Sequence, residues 1–314
     1  MMMILGRRDG RAGGAAVASA GATVEGGRSR GPPGPDARLR RGRAGRYAAW
    51  RSGGARIARA GGKPMATVDV LMPGQAWGAS SGIPAMCSII LVESEGRRIL
   101  FDTGHVGRYT GLEAALKERK LGPEDIDLQV MSHAHWDHAQ NFDRFPNAPM
   151  LIHPDERRYA LNPHPNDWAT PAWTGAALET HAIQEVSDGD ELARGVRVID
   201  IAGHSPGSIG LLVESEDGIS GLTGDALHFA RVALTGESPL VFFDKRLADA
   251  SIRKVVAASD VLYPGHDRPF RLVDGEIVYT QPFALTLSNL YPGMPGLSFD
   301  RPKPSVWVMP GARQ

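Results

Sequence analysis

Ser132-His133-Ala134-His135-Trp136-Asp137-His138 decides the reading of this chain. The pattern is H-x-H-x-D-H. With 10 His in 314 residues, such a match arises by chance on the order of one time in a thousand. The spacing carries the chemistry. His133, His135 and Asp137 are two apart, so an extended segment leaving a strand points all three to one side. A turn after Asp137 then swings His138 toward the same cavity. Imidazoles beside a carboxylate suit zinc or another divalent transition metal. A loop of solvated histidines is the plain alternative. The apolar strand expected over Asp127–Met131, directly upstream, argues against it.

One cluster does not complete a metal site, so further His and Asp are expected at strand ends. His204 follows the strand expected over 195–202, in Gly203-His204-Ser205-Pro206-Gly207. Asp225 follows Leu222-Thr223-Gly224, and His266 follows the strand expected over Asp260–Tyr263, in Pro264-Gly265-His266. Each sits where a strand runs into a glycine-containing turn, which permits close approach to a buried ion.

The rest of the chain divides into a head and a body. Residues 1–64 hold 14 Lys and Arg against 3 Asp and Glu, while residues 65–314 hold 21 against 32. The head also carries 15 Gly and 13 Arg and shows no hydrophobic period, a composition that cannot offset ordering entropy, so it reads as a disordered basic segment. It reads best as sequence upstream of a start at Met65. A transit peptide is the alternative, and Arg7-Arg8 lacks the apolar run of a twin-arginine signal. Residues 65–314 read as one domain with a Pro-rich tail. Its acidic balance disfavours non-specific nucleic-acid binding. No apolar run approaches the ~18–20 residues of a membrane span, and a cytoplasmic setting is expected. The single cysteine, Cys87, excludes an internal disulfide and a Cys-rich finger.

Strands are expected over Met86–Glu93 and Arg98–Asp102, around the turn at Ser94-Glu95-Gly96, and over Pro149–Ile152, Ile209–Glu214 and Ile219–Leu222. Helices are expected over Gly111–Lys120, Pro154–Leu161 and Lys245–Ser259, and a hairpin around Asp274-Gly275. Asn162–Thr180, with its prolines and tryptophans, reads as a long loop of the kind that covers sites.

With these residues in place, the chain resembles the metallo-β-lactamase fold of zinc hydrolases. H-x-H-x-D-H is the signature of that family, and the later His, Asp and His recur in order, over about Thr67 to Phe270. The resemblance implies an α/β protein, a four-layer αββα sandwich with a two-metal site at one edge. It implies that His133, His135 and His204 hold the first zinc, that Asp137, His138 and His266 hold the second, and that Asp225 bridges them. Iron or manganese would fit similar donors. Asp102, in Phe101-Asp102-Thr103-Gly104, matches a further family element that orients a ligand. In such sites water is activated between the ions as hydroxide at neutral pH and attacks a carbonyl or phosphorus centre. Asp137 is then the proton shuttle.

Sub-class is narrower but not fixed. β-Lactamases of the family lack the bridging Asp, and glyoxalase-type thioesterases carry a large helical domain where only 48 residues follow His266 here. The plan resembles the quorum-quenching acyl-homoserine lactonases, so a small ester or lactone is the expected substrate; carbamates, thioesters and organophosphates are the alternatives. One departure stands out. Those lactonases place Tyr three residues after the bridging Asp, and this chain has His228, a candidate acid, base or oxyanion donor. Trp136, Trp168, Trp173 and Phe229 are candidate walls of an apolar pocket. Partners are limited to a small-molecule substrate and, if any, further copies of the chain. Two other readings compete. Gly203–Gly207 also satisfies G-x-S-x-G, which requires a strand-to-helix elbow. A metal-binding sensor without turnover would be favoured by missing ligands, and none is missing.

Overall fold

The computed structural model describes residues 66–300 and 305–314. The expectations for the basic head and for a start at Met65 lie outside the described residues. Thirteen described strands join in one hydrogen-bonded sheet. They are β1 (Ala66–Met72), β2 (Ile89–Ser94), β3 (Arg97–Phe101), β4 (Leu128–Val130), β5 (Met150–Ile152), β6 (Ile183–Glu185) and β7 (Glu191–Ala193). β8 (Val196–Asp200), β9 (Ile209–Ser215), β10 (Gly218–Leu222), β11 (Val261–Tyr263), β12 (Phe270–Val273) and β13 (Glu276–Tyr279) complete it. The helices are α1 (Tyr109–Glu118), α2 (Trp136–Ala139), α3 (Pro154–Leu161), α4 (Thr174–Leu178), α5 (Val232–Thr235) and α6 (Lys245–Ala258).

The sheet is two half-sheets joined at one pairing, Ala66 with Ser215. The first half runs β1-β2-β3-β4-β5-β6, and the second is built on β7 through β13. Alternation along the strands explains why they stack. In β2, Ile90 and Val92 join one core while Ile89 and Leu91 join another. In β3, Ile99 and Phe101 go with the first core and Leu100 with the second. Period-two alternation with both sets apolar means both faces are covered. The shared core takes Val196, Val198, Leu211 and Val213 from the other half, so it is the interior of a sandwich. Each fully buried aliphatic side chain there contributes ~1.5–3 kcal/mol over exposure.

Helices close the outer faces. Leu112, Ala115 and Leu116 of α1 pack on Ile89, Leu91 and Leu100. Ile252 and Val255 of α6 pack on Ile199, Leu262 and Phe270. Asp244 caps α6 by accepting the Leu247 N–H at 3.0 Å. The result is the four-layer αββα sandwich. No helix among the described residues is long and apolar enough to cross a membrane.

Three local expectations are modified. The strand expected over Met86–Glu93 breaks at Cys87 and Ser88, where the Ser88 N–H donates to the Gly265 carbonyl at 2.6 Å and Ser88 Oγ donates to the Pro264 carbonyl at 2.7 Å. The loop over Asn162–Thr180 contains α4. The Pro-rich tail carries a strand of its own: Trp307–Val308 pairs in parallel with Leu240–Val241, and Met309 is buried.

Candidate metal centre

The strand ends converge as their order requires. Asp102 ends β3, and the loop to α2 leaves β4, which runs parallel to β3. Asp225 and His266 follow β10 and β11, again a parallel pair. His204 follows β8, which β9 holds parallel to β10. Strand ends are where side chains from several strands meet without breaking the ladder.

The signature folds differently from a single extended run. His135 is extended (φ −65°, ψ 147°) and Trp136 starts α2. His133 and His135 therefore share a side, as alternation predicts. The helical turn carries Asp137 and His138 to a second group. Two of the groups whose ligand-capable atoms lie within 4.8 Å of one another divide the signature, His133, His135, His204 and Asp225 on one side and Asp137, His138 and His266 on the other, and a further group joins Asp225, His228 and His266. All of these side chains are buried.

Asp225 stands between the groups. Its Oδ1 is 3.2 Å from Nε2 of His138 and 3.2 Å from Nε2 of His266. Its Oδ2 is 3.5 Å from Nε2 of His204 and 3.9 Å from Nε2 of His133. Asp137 Oδ2 lies 3.3 Å from Nε2 of His266. The rings are aimed by their other nitrogen. Nδ1–H donates to Asp102 from His138 (2.7 Å), to the Leu240 carbonyl from His204 (2.9 Å) and to the Met86 carbonyl from His266 (3.1 Å). His133 Nδ1–H donates to Ser132 Oγ at 2.9 Å, and that hydroxyl donates to Asp102 Oδ2 at 2.8 Å. In His133 and His204 this tautomer leaves Nε2 as a lone pair toward the centre, whereas in His138 and His266 Nε2 faces Asp225 Oδ1 at 3.2 Å. His135 turns the other way. Its Nδ1 lies 3.1 Å from His204 Nε2, and its Nε2 is 3.9 Å from Oδ2 of the buried Asp167.

The donor set fits metal ions. The Nε2 atoms of His133 and His138, with Asp137 Oδ2 and Asp225 Oδ1, are buried at the centre and lack a hydrogen-bond partner. Orphans of this kind are costly unless something fills the space. Burial and the neighbouring imidazoles hold His133 well below the usual histidine range; burial and His204 do the same for His135. Burial takes His204 down to about 3. These rings are neutral at pH 7, the state a cation binds. Burial also opposes charge on His138 and His266, but Asp225 and Asp137 outweigh it and raise both. Burial likewise opposes ionisation of Asp225, and His228, His266 and His138 outweigh it and hold it well below the carboxylate range.

Gly265 is fixed by this geometry. A Cβ there would meet Asp225 Oδ1 at 2.1 Å and the Gly224 carbonyl at 2.9 Å. Gly265→Ala is therefore expected to displace the Asp225 carboxylate, halving the metal bound per chain while destabilising the fold by only ~1–3 kcal/mol. Metal analysis beside a thermal melt checks both.

The other expected residues are more dispersed. His228 is buried, donates from Nδ1 to the Asp225 carbonyl at 3.1 Å, and sets Nε2 3.0 Å from Asp225 Oδ2. Trp168 packs on Phe242 (ring centroids 5.2 Å) and Trp307 (6.0 Å), and Phe242 lies 4.5 Å from the His135 ring. Trp136 packs beside this group and 5.4 Å from His105. Trp173 is exposed and makes no ring contact with another described residue. Phe229 lies 5.9 Å from the His228 ring and packs with the core of Ile199, Ile252 and Phe270 instead of with Trp168. Sequence reasoning missed Phe242, Trp307 and Asp167. The Phe242-Phe243 pair beyond Leu240-Val241 was the available signal for the first. Gly203–Gly207 joins two strands, β8 and β9, so it is not a nucleophile elbow, and Ser205 Oγ is spent on a bond to Glu156.

A family model for the metallo-beta-lactamase superfamily matches residues 82–266. The chain is 27% identical over 213 residues to the N-acyl homoserine lactonase AiiA of Bacillus thuringiensis subsp. kurstaki, covering 59% of this chain and 82% of that one. It is 29% identical over 216 residues to metallo-beta-lactamase domain-containing protein 1 of Mus musculus, covering 66% and 75%. Among solved structures, a probable metal-dependent hydrolase from Staphylococcus aureus superposes with TM-score 0.56 at 16% identity, covering 71% of this chain and 99% of that one. An N-acyl homoserine lactone hydrolase with the product N-hexanoyl-L-homoserine bound at its catalytic metal centre superposes with TM-score 0.53 at 24% identity, covering 65% and 93%.

Proposed function

Because this chain belongs to the metallo-beta-lactamase superfamily, we propose that it is a two-zinc hydrolase of a small ester or lactone. The observation that carries the reading is Asp225, whose two oxygens face two separate groups of imidazoles. His133, His135 and His204 would hold one ion, Asp137, His138 and His266 the other, and Asp225 both. Two divalent ions bound there supply Lewis acidity and lower the pKa of water toward 7. The relatives named as lactonases favour a cyclic ester, and the reading assigns the activity to residues 65–314.

The chain's own groups divide the remaining work. Asp137 accepts the proton released as water attacks and returns it to the leaving alkoxide. In a lactone that alkoxide stays tethered, so one proton suffices to close the step. His228 faces Asp225 with both ring nitrogens, Nδ1–H donating to its carbonyl at 3.1 Å and Nε2 lying 3.0 Å from its Oδ2; as the imidazolium it would donate from Nε2 to the substrate carbonyl oxygen. Phe242, Trp168 and Trp307 form an apolar wall against His135, suited to an acyl chain. Trp168→Ala is expected to raise KM for a long-chain acyl lactone roughly tenfold, the scale of about two buried methylenes, with kcat within about twofold. Steady-state kinetics over a chain-length series reads it.

The test of the reading is a panel of acyl homoserine lactone, aryl ester, thioester, carbamate and phosphotriester, run on zinc-loaded full chain. Turnover is expected on lactone and ester, lost on chelation and restored by zinc. A metal-replete chain inert on the whole panel would point to a binding or sensing role instead.

A further inference from the structure

Behind the first imidazole group lies a carboxylate that the chemistry above does not use. Glu156, in the first turn of α3, is completely buried. Its Oε1 accepts the Ala134 N–H at 2.9 Å. Its Oε2 accepts the Gly207 N–H at 2.8 Å and the Ser205 hydroxyl at 2.7 Å. Ala134 is the residue between His133 and His135, and Ser205 follows His204. One side chain thus ties together the two loops that carry all three imidazoles of that group. The loops come from different half-sheets, one leaving β4 and the other leaving β8. The approach is built in: a Cβ at residue 207 would meet the Glu156 backbone N at 2.3 Å, so only glycine admits the third donor.

We propose that Glu156 is a positioning residue that sets the mutual geometry of His133, His135 and His204 for one metal ion; the proposal rests on the two-metal reading. Burying a carboxylate is expensive, and the Ala134 and Gly207 N–H groups and the Ser205 hydroxyl, which would be stranded without it, offset that cost. The three imidazoles contribute no charge of their own. A carboxylate behind them adds negative charge near a bound dication and fixes the loops that aim the rings.

Glu156→Gln keeps the volume and removes this arrangement. An amide has one acceptor oxygen, whereas the donors approach both oxygens. The Ser205 hydroxyl can turn round, but one of the N–H groups of Ala134 and Gly207 must then face the amide NH2.

The test is a Co2+ titration of the metal-free full chain, followed by visible absorption and competition with a chelator. Wild-type protein is expected to bind in two steps. The step removed by His204→Ala identifies the three-imidazole site. In Glu156→Gln that step is expected to weaken about 10–100-fold with a changed absorption band, while the other step moves less than about twofold. Ser205→Ala, which deletes one of the three donors and leaves no buried charge unbalanced by a new group, is expected to weaken the same step about tenfold and decides the matter should Glu156→Gln not fold. Two-step binding with unchanged affinities and bands in the folded variant overturns the role of Glu156 alone. Wild-type protein that binds no Co2+ overturns the two-metal reading and this proposal together.

Discussion

Asp225→Ala is expected to leave at most one metal ion per chain and to cut hydrolysis by more than the ~10–100-fold that loss of a residue behind a ligand costs. The side chain is the one group shared by both clusters. Without it, Nε2 of His138 and His266 lose the oxygen 3.2 Å away, and His204 loses the oxygen at 3.5 Å. Its charge matters as much as its reach. Asp225 is a principal cause of the raised basicity of His138 and His266. Removing it lowers the affinity of that corner for any cation, proton or metal. Asp225→Asn separates the two effects. It keeps one oxygen and the volume but no charge, so it is expected to retain the fold and still bind fewer than two ions. Metal analysis and initial rates on the same samples read the outcome.

Asp102 is the second large effect, and it divides into stability and tautomer. Asp102 accepts three bonds: from His138 Nδ1 at 2.7 Å, from the Ser132 N–H at 2.8 Å and from Ser132 Oγ at 2.8 Å. Asp102→Ala strands buried donors on His138 and Ser132. At ~1–3 kcal/mol for each of the three, the fold is expected to lose on the order of 3–9 kcal/mol, and its Tm to fall by about 10–30 °C. Asp102→Asn has a different signature. Its amide can still accept from Ser132, but its NH2 faces His138 Nδ1. That ring nitrogen then accepts, the proton moves to Nε2, and the lone pair toward Asp225 is lost. Asp102→Asn is therefore expected to melt close to wild type yet bind one ion instead of two. A calorimetric melt and a metal assay on both variants separate these results.

Much of this was legible in the sequence because it is local. H-x-H-x-D-H lies within seven residues, and each later ligand is announced by a strand entering a glycine turn. The sandwich was readable in Ile89–Val92, where adjacent residues are all apolar and the alternation serves two cores. The division of the signature between two groups was implied by the family resemblance and not by the spacing, which put Asp137 on one side with His133 and His135. It depends on α2 beginning at Trp136, and His135 carries no side-chain capping bond to announce that start. The supports of the site were harder still. Glu156 meets Ser205 across 49 positions, and Trp307 meets Trp168 across the sandwich edge through a two-residue strand in a Pro-rich tail. Such contacts are set by tertiary packing, and composition around them reads as loop. The sulfur of Cys87 followed its local context: it is buried, and burial raises its thiol pKa to about 12.

The most direct test of the central claim is the metal content of the full chain after exhaustive dialysis, measured by elemental analysis on the same sample whose lactone hydrolysis is assayed. The account predicts two divalent ions per chain, no hydrolysis after chelation, and return of both on adding zinc. Undiminished hydrolysis from protein carrying essentially no metal would contradict it.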